Sequence, residues 1–333
     1  MKEVFVTAYL RFGKSKFLVV CAAAIVLMLL GTIVGLAVST AGEEVGAQKS
    51  DTILLGGEDV PYSEYYQYLL DECLKIYERD DLSQSEKASL EMEIAEYRFY
   101  LQSNTNTTQY YHDSYGAENG GAYWMQVLFF VGMCASMFLP IVLTAWFLPG
   151  AKSGVLRTEF LTGRLRAELW GGKTGAALVA SSAAPIVFSL SGLISALCTP
   201  DAMFLVKDEL IGKVYAISVF AQWAALTATM LVVAWSAAAL VELVTCLSGD
   251  SVAGVAVPCA IVLLSIFVTI AVLSIVPAEE AVKYDFSWMP FYGLIGMFQV
   301  APASDEIVMI VAHALAAALA LGVSRFAFGR KSL

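Results

Sequence analysis

Long uncharged apolar runs divide the chain. They occupy residues 17–42, 119–151, 174–200, 214–241, 251–278 and 307–324. About 20 apolar residues in a helix cross the hydrocarbon core of a bilayer. Each run is therefore read as one crossing, giving six transmembrane helices. The last run is the shortest, but Ala327 and Phe328 extend it past Arg325, whose long side chain can reach the interface.

The polar stretches between the runs carry their own patterns. In residues 1–16, Val4, Phe5, Ala8, Tyr9 and Phe12 fall on one helical face, interleaved with Lys2, Arg11, Lys14 and Lys16. This reads as a cytoplasmic helix lying in the interface. A cleaved leader is the competing reading, but the apolar run that follows is too long for one. Residues 43–118 form the large polar insert. Pro61 opens a helical pattern through Tyr65, Tyr68, Leu69, Cys73 and Ile76. After a turn at 79–82, Ser83 and Glu86 have the spacing of a capping box, and a second helix runs through Leu90, Ile94, Tyr97 and Leu101. The two make a helical hairpin. Its tyrosine stripe is either the seam of the hairpin or a ligand surface. The segment 279–306 is unusual: 286–304 is uncharged yet broken by Pro290, Gly293, Gly296 and Pro302. It is read as re-entrant or interfacial helices on the outer side, before the last span.

Composition agrees with this layout. The chain has 333 residues, of which 58% are hydrophobic and only 15% charged. A soluble domain of this length cannot hide that much apolar surface, so the fold class is an all-α polytopic membrane protein. Lys and Arg placement sets the orientation. With both termini in the cytoplasm, the N-terminal segment, residues 152–173 and the C-terminal Arg325, Arg330 and Lys331 all lie inside. The insert 43–118 and the re-entrant segment lie outside. No basic face remains for a phosphate backbone, so nucleic acid is excluded as a partner. Five of the six cysteines fall in or beside apolar runs, and only Cys73 lies in the insert. No pair has metal-ligand spacing. Cys73 is a small buried residue or, alternatively, an intermolecular bridge.

Few residues offer chemistry. Ala167 to Thr174, AELWGGKT, is a loose match to a phosphate loop. It lacks the preceding buried strand, and a charged amphipathic helix leads into it instead. Lys173 reads as an anchor at the inner headgroups. Glu242, at the inner end of the fourth span, faces a cavity or a partner, or reaches back to the interface. His313 is the one histidine in a span, and no ligand or catalytic set assembles around it or around Glu279 and Glu280. It is read as a packed or hydrogen-bonded helix residue, with a functional polar role as the alternative.

The segment Lys152–Lys173, KSGVLRTEFLTGRLRAELWGGK, is the most informative. Five bases (Lys152, Arg157, Arg164, Arg166, Lys173) stand there against Glu159 and Glu168. The pattern SGxLRxxxxxGRxRxxxxxGK, between the second and third spans, resembles the cytoplasmic loop of ABC transporter permeases of the type-2 exporter superfamily. The peptide-resistance and lantibiotic-immunity permeases are nearest. The acidic residue that many of them carry before the Gly is replaced here by Ala151, Lys152 and Ser153.

The resemblance implies that 152–173 forms a coupling helix seated in a separate ABC ATPase. Leu156, Phe160 and Leu161 would supply the apolar side, and Arg157, Glu159, Arg164 and Arg166 the orientation. It also implies ATP and Mg on that partner and no cofactor on this chain. A second permease copy or paralogue would complete the unit. The substrate would be an amphipathic peptide or lipid, moved across or extracted from the plasma membrane. The chain itself would be a transporter subunit and not an enzyme. A reading of another class stays open: a sensory or interaction protein that binds an extracellular ligand through the insert. An ATPase gene beside this one would favour the first, and a lone kinase or regulator the second.

Overall fold

The structure, a computed structural model, describes residues 3–4, 6, 23, 26–27, 30, 52–79, 81–102, 120–148, 166–198, 203–208, 213–275 and 303–330. The expected interfacial helix and first span are represented only by Glu3, Val4, Val6, Ala23, Val26, Leu27 and Leu30, all helical. The expected re-entrant segment lies outside the described residues, apart from 303–306 at the start of the last helix.

Helices dominate the described residues. In chain order the elements are β1 (Thr52–Leu55), β2 (Glu58–Pro61), α1 (Tyr62–Tyr77), α2 (Gln84–Gln102) and α3 (Gly120–Phe147). There follow α4 (Arg166–Ser181), α5 (Ala183–Cys198), β3 (Met203–Asp208), β4 (Lys213–Ser218), α6 (Val219–Ser248), α7 (Ser251–Ile275) and α8 (Ala303–Arg330). Among the described residues, five helical stretches are long and apolar enough to cross a membrane: Val127–Phe147, Arg166–Leu197, Val219–Ser248, Ser251–Val268 and Ile307–Gly329. These mark a mostly helical, membrane-embedded protein.

α6 is the hub of the apolar bundle. It packs against α3, α4, α5, α7 and α8. The core along its N-terminal half is built from Met125, Phe129, Met133, Phe188, Leu226 and Met230. Glycine lets the helices close up there: a Cβ on Gly132 would stand 2.8 Å from both Met230 Sδ and Phe188 Cβ. Small residues at such crossings permit close backbone approach. The stretch Arg166–Leu197 is bent rather than straight. Pro185 has no N–H for the Ser181 carbonyl, and the chain turns at Ser182 between α4 and α5. The Ser182 hydroxyl donates to the Leu178 carbonyl at 2.9 Å and accepts from the Trp235 indole N–H of α6 at 2.9 Å.

Two boundaries differ from the hydropathy reading. The fourth apolar run was expected to be helical from 214, but 213–218 is strand and the helix begins at Val219. The third span was expected from 174, but the chain is already helical at Arg166. Two antiparallel hairpins also add strand to the expected all-α fold. β1 and β2 turn through Gly56 and Gly57, both at positive φ, as a two-residue hairpin turn requires.

α1 and α2 run antiparallel, as three pairs along them record: Tyr66 with Tyr100, Cys73 with Glu93, and Tyr77 with Glu91. Ser83 and Glu86 form the reciprocal cap of α2. The Ser83 N–H donates to Glu86 Oε2 at 2.7 Å, and the Glu86 N–H donates to Ser83 Oγ at 3.2 Å.

Candidate functional site

The described part of the 152–173 segment is Arg166–Lys173, and it forms the first two turns of α4. Leu156, Arg157, Glu159, Phe160, Leu161 and Arg164 lie outside the described residues. Ala167–Thr174 is helix throughout, so the N–H groups past its first turn are committed to i→i−4 bonds and do not form an open phosphate-binding loop.

Arg166 is exposed, and its guanidinium donates to the Gly329 carbonyl at 3.0 Å. Gly329 lies in the last turn of α8, where carbonyls lack intrahelical partners. Arginine there satisfies one of them and complements the negative end of the helix dipole. The segment expected to receive a partner's thrust is thus tied directly to the end of the last span.

The opposite face of these two turns enters the bundle. Leu169, Gly172, Lys173 and Thr174 are buried. Lys173 is 5% exposed, which corrects its expected place as an anchor at the inner headgroups. It stands on a helix that begins two turns earlier than hydropathy indicated, between Arg166, bonded to α8, and Thr174, bonded to α6.

One turn of α6 supplies the partner. Glu242 is 1% exposed and accepts a hydrogen bond from Thr174 Oγ1 at 2.8 Å. Of the readings left open for Glu242, the structure gives a carboxylate held inside the bundle between α4 and α6. The Trp170 indole N–H faces the same carboxylate, but is buried without reaching hydrogen-bond geometry. Trp170 and Thr174 are four residues apart, so both lie on one face of α4. A lone acid in an otherwise uncharged helix signals that some donor must meet it. Nothing in the sequence singles out Thr174 and Trp170 as the groups that do.

His313 of α8 lies about two turns of α6 further along. Its Nδ1 is 2.8 Å from Ser236 Oγ on α6. Ser236 Oγ is also 2.8 Å from the Val233 carbonyl. The structure thus makes His313 a hydrogen-bonded link between two packed helices, separate from Glu242. Among the described residues no group of three or more His, Cys, Asp or Glu side chains could hold a metal ion.

The helix pair contains a second concentration of polar groups. Tyr66 and Tyr100 are 4% and 5% exposed and stack at 4.6 Å between ring centroids, with Tyr97 and Tyr62 beside them. The seam of α1 and α2 is centred on Tyr66 and Tyr100, with Tyr65 and Tyr97 packed against them, whereas Tyr68 and Ile76 of the expected stripe are exposed. Burial, reinforced by the neighbouring tyrosines and Glu96, raises the Tyr66 phenol well above its ordinary value. Tyr97 is pushed up to about 12, again chiefly by burial. Cys73 is buried at the same seam, and its thiol donates to Glu93 Oε2 at 3.6 Å. Desolvation first and Glu93 second push that thiol up.

No protein-family model matches the sequence, and neither a curated protein nor a solved structure matches it.

Proposed function

We propose that the chain is the membrane-spanning permease subunit of an ATP-driven exporter of the type-2 ABC superfamily. In this reading it has six spans, with both termini in the cytoplasm and residues 43–118 outside as a helical insert. Residues 279–306 dip into the outer leaflet. A separate ATPase carries ATP and Mg. A second copy or a paralogue completes the permease pair. The cargo is an amphipathic peptide or lipid.

The observation that carries the reading is the motif at 152–173, whose described part runs without a break into a span-forming helix. Its last eight residues are the first turns of α4. A cytoplasmic helix continuous with a span transmits displacement better than one joined by a slack loop, because the intervening i→i−4 bonds resist bending. Two bonds then carry such a displacement onward, Arg166 to α8 and Thr174 to α6. The apolar side made by Leu156, Phe160 and Leu161 suits docking, and Arg157, Glu159 and Arg164 suit orientation.

Affinity purification of the full chain from its native membrane tests the assignment. Retention of a soluble ATPase, lost in Phe160→Glu and in Arg164→Glu, supports it. Undiminished retention in both variants removes the coupling role from this segment.

A further inference from the structure

Strand β4 is packed on both faces. Successive strand residues point to opposite sides. Val214 packs into the Tyr66–Tyr100 cluster of the helix pair. Tyr215 and Ile217 pack against the main core of the apolar bundle. Across the hairpin, Ile217 pairs with Phe204, which is itself buried in that core. β4 therefore lies between the helix pair and the bundle and touches both.

β4 is also joined to α6 with no loop between them. The strand ends at Ser218 and the helix starts at Val219. Ser218 caps the helix, its Oγ accepting from the Ala221 N–H at 3.3 Å. The next turns are pinned to α5. Trp223 Nε1 donates to the Ser189 carbonyl at 2.8 Å, and Ser189 Oγ lies 2.8 Å from Thr227 Oγ1. A connection of this kind leaves little slack, since 213–218 are held by the ladder, Ser218 caps the helix, and Trp223 and Thr227 bond across to α5.

We propose that β4 is a rigid coupler between the α1–α2 pair and α6. A displacement of the pair becomes a displacement of the first turns of α6, the helix that carries Ser236 and Glu242 further along. Whatever engages the pair thus biases the bundle without entering it, provided it holds the pair differently in two arrangements of α6. The link stands whether or not an ATPase drives the chain.

Hydrogen–deuterium exchange on the full chain in lipid nanodiscs tests this, comparing wild type with Val214→Ser. Loss of the Val214 contact is expected to speed exchange in 62–102 and in 219–226 together, by roughly threefold or more, with 251–268 unchanged. If Val214→Ser does not fold, Val214→Ala gives the same comparison with a smaller change. Faster exchange confined to 62–102, confined to 219–226, or absent from both in a folded variant overturns the coupler. A second readout uses two glycines inserted between Ser218 and Val219. In that background Val214→Ser should speed exchange in 62–102 alone, and a persisting effect on 219–226 would mean that the two regions communicate by another route.

Discussion

Thr174 Oγ1 donates to Glu242 Oε1 across 2.8 Å, joining α4 to α6 inside the bundle. A carboxylate 1% exposed in a membrane helix is costly unless a donor meets it. Thr174→Val removes the donor at nearly constant volume, and Glu242→Gln keeps a weaker acceptor. A double-mutant cycle with Thr174→Val and Glu242→Ala, read by unfolding in mixed micelles, should give a coupling of about 1 kcal/mol. A coupling indistinguishable from zero would mean that the two side chains do not support one another.

The tyrosine seam fixes how the helix pair responds to alkali. Tyr97 is raised to about 12 and Tyr66 is raised further, both mainly by burial. The unfolded phenols titrate near 10. Their folded values lie above this, so their stabilising contribution is complete below about pH 10 and falls as pH rises toward the folded values. Stability of the pair, followed by circular dichroism, should therefore decline from about pH 10 upward. Phenolate absorbance should lag behind that of free tyrosine. Tyr97→Phe should flatten part of the decline, and an unchanged pH profile in that variant would contradict the burial argument.

Cys73 should be a poor nucleophile. It is buried, its thiol is raised by desolvation, and Glu93 accepts a hydrogen bond from the protonated thiol. Only the thiolate attacks an alkylating agent. Peptide mapping after iodoacetamide treatment at mildly alkaline pH should show Cys73 reacting at least about tenfold more slowly than a free thiol. Rapid labelling in the folded chain would place the thiol in solvent and break the seam described for α1 and α2.

Two glycines make a controlled comparison of packing. A Cβ on Gly132 would meet Met230 and Phe188 at 2.8 Å, whereas one on Gly322 would meet nothing within 4 Å. Gly132→Ala should therefore cost about 1–3 kcal/mol through forced repacking. Gly322→Ala should be neutral or stabilise by up to about 1 kcal/mol, since it gains helix propensity without a clash. Equal thermal stability of the two variants would contradict the crossing of α3, α5 and α6.

Much of this bundle was legible in the sequence because apolar runs without charge leave few options. The boundaries were less so. Arg166, Glu168 and Lys173 end the apolar run in hydropathy, but backbone helix passes through them, and Lys173 is covered by neighbouring helices that one sequence cannot place. Val214–Ser218 was absorbed into the fourth run because Val214, Tyr215 and Ile217 are as apolar as a span. Their strand geometry comes from pairing with 203–208. Gly56-Gly57 was a usable hairpin signal, but the flanking strands have only four residues each and show no alternation. Ser83 and Glu86 were readable because a capping box is local. Glu242 stood out as a lone acid, while its partner Thr174 lay 68 residues away and unremarkable.

We propose that the segment 152–173 couples this chain to a separate ATPase. The most direct test is ATP hydrolysis by the purified chain with its retained partner in proteoliposomes, wild type beside Phe160→Glu. Mg-dependent hydrolysis is expected in the wild-type preparation, and its loss in Phe160→Glu at equal yield of the membrane chain. Equal hydrolysis in both preparations, or none in either, would contradict this coupling.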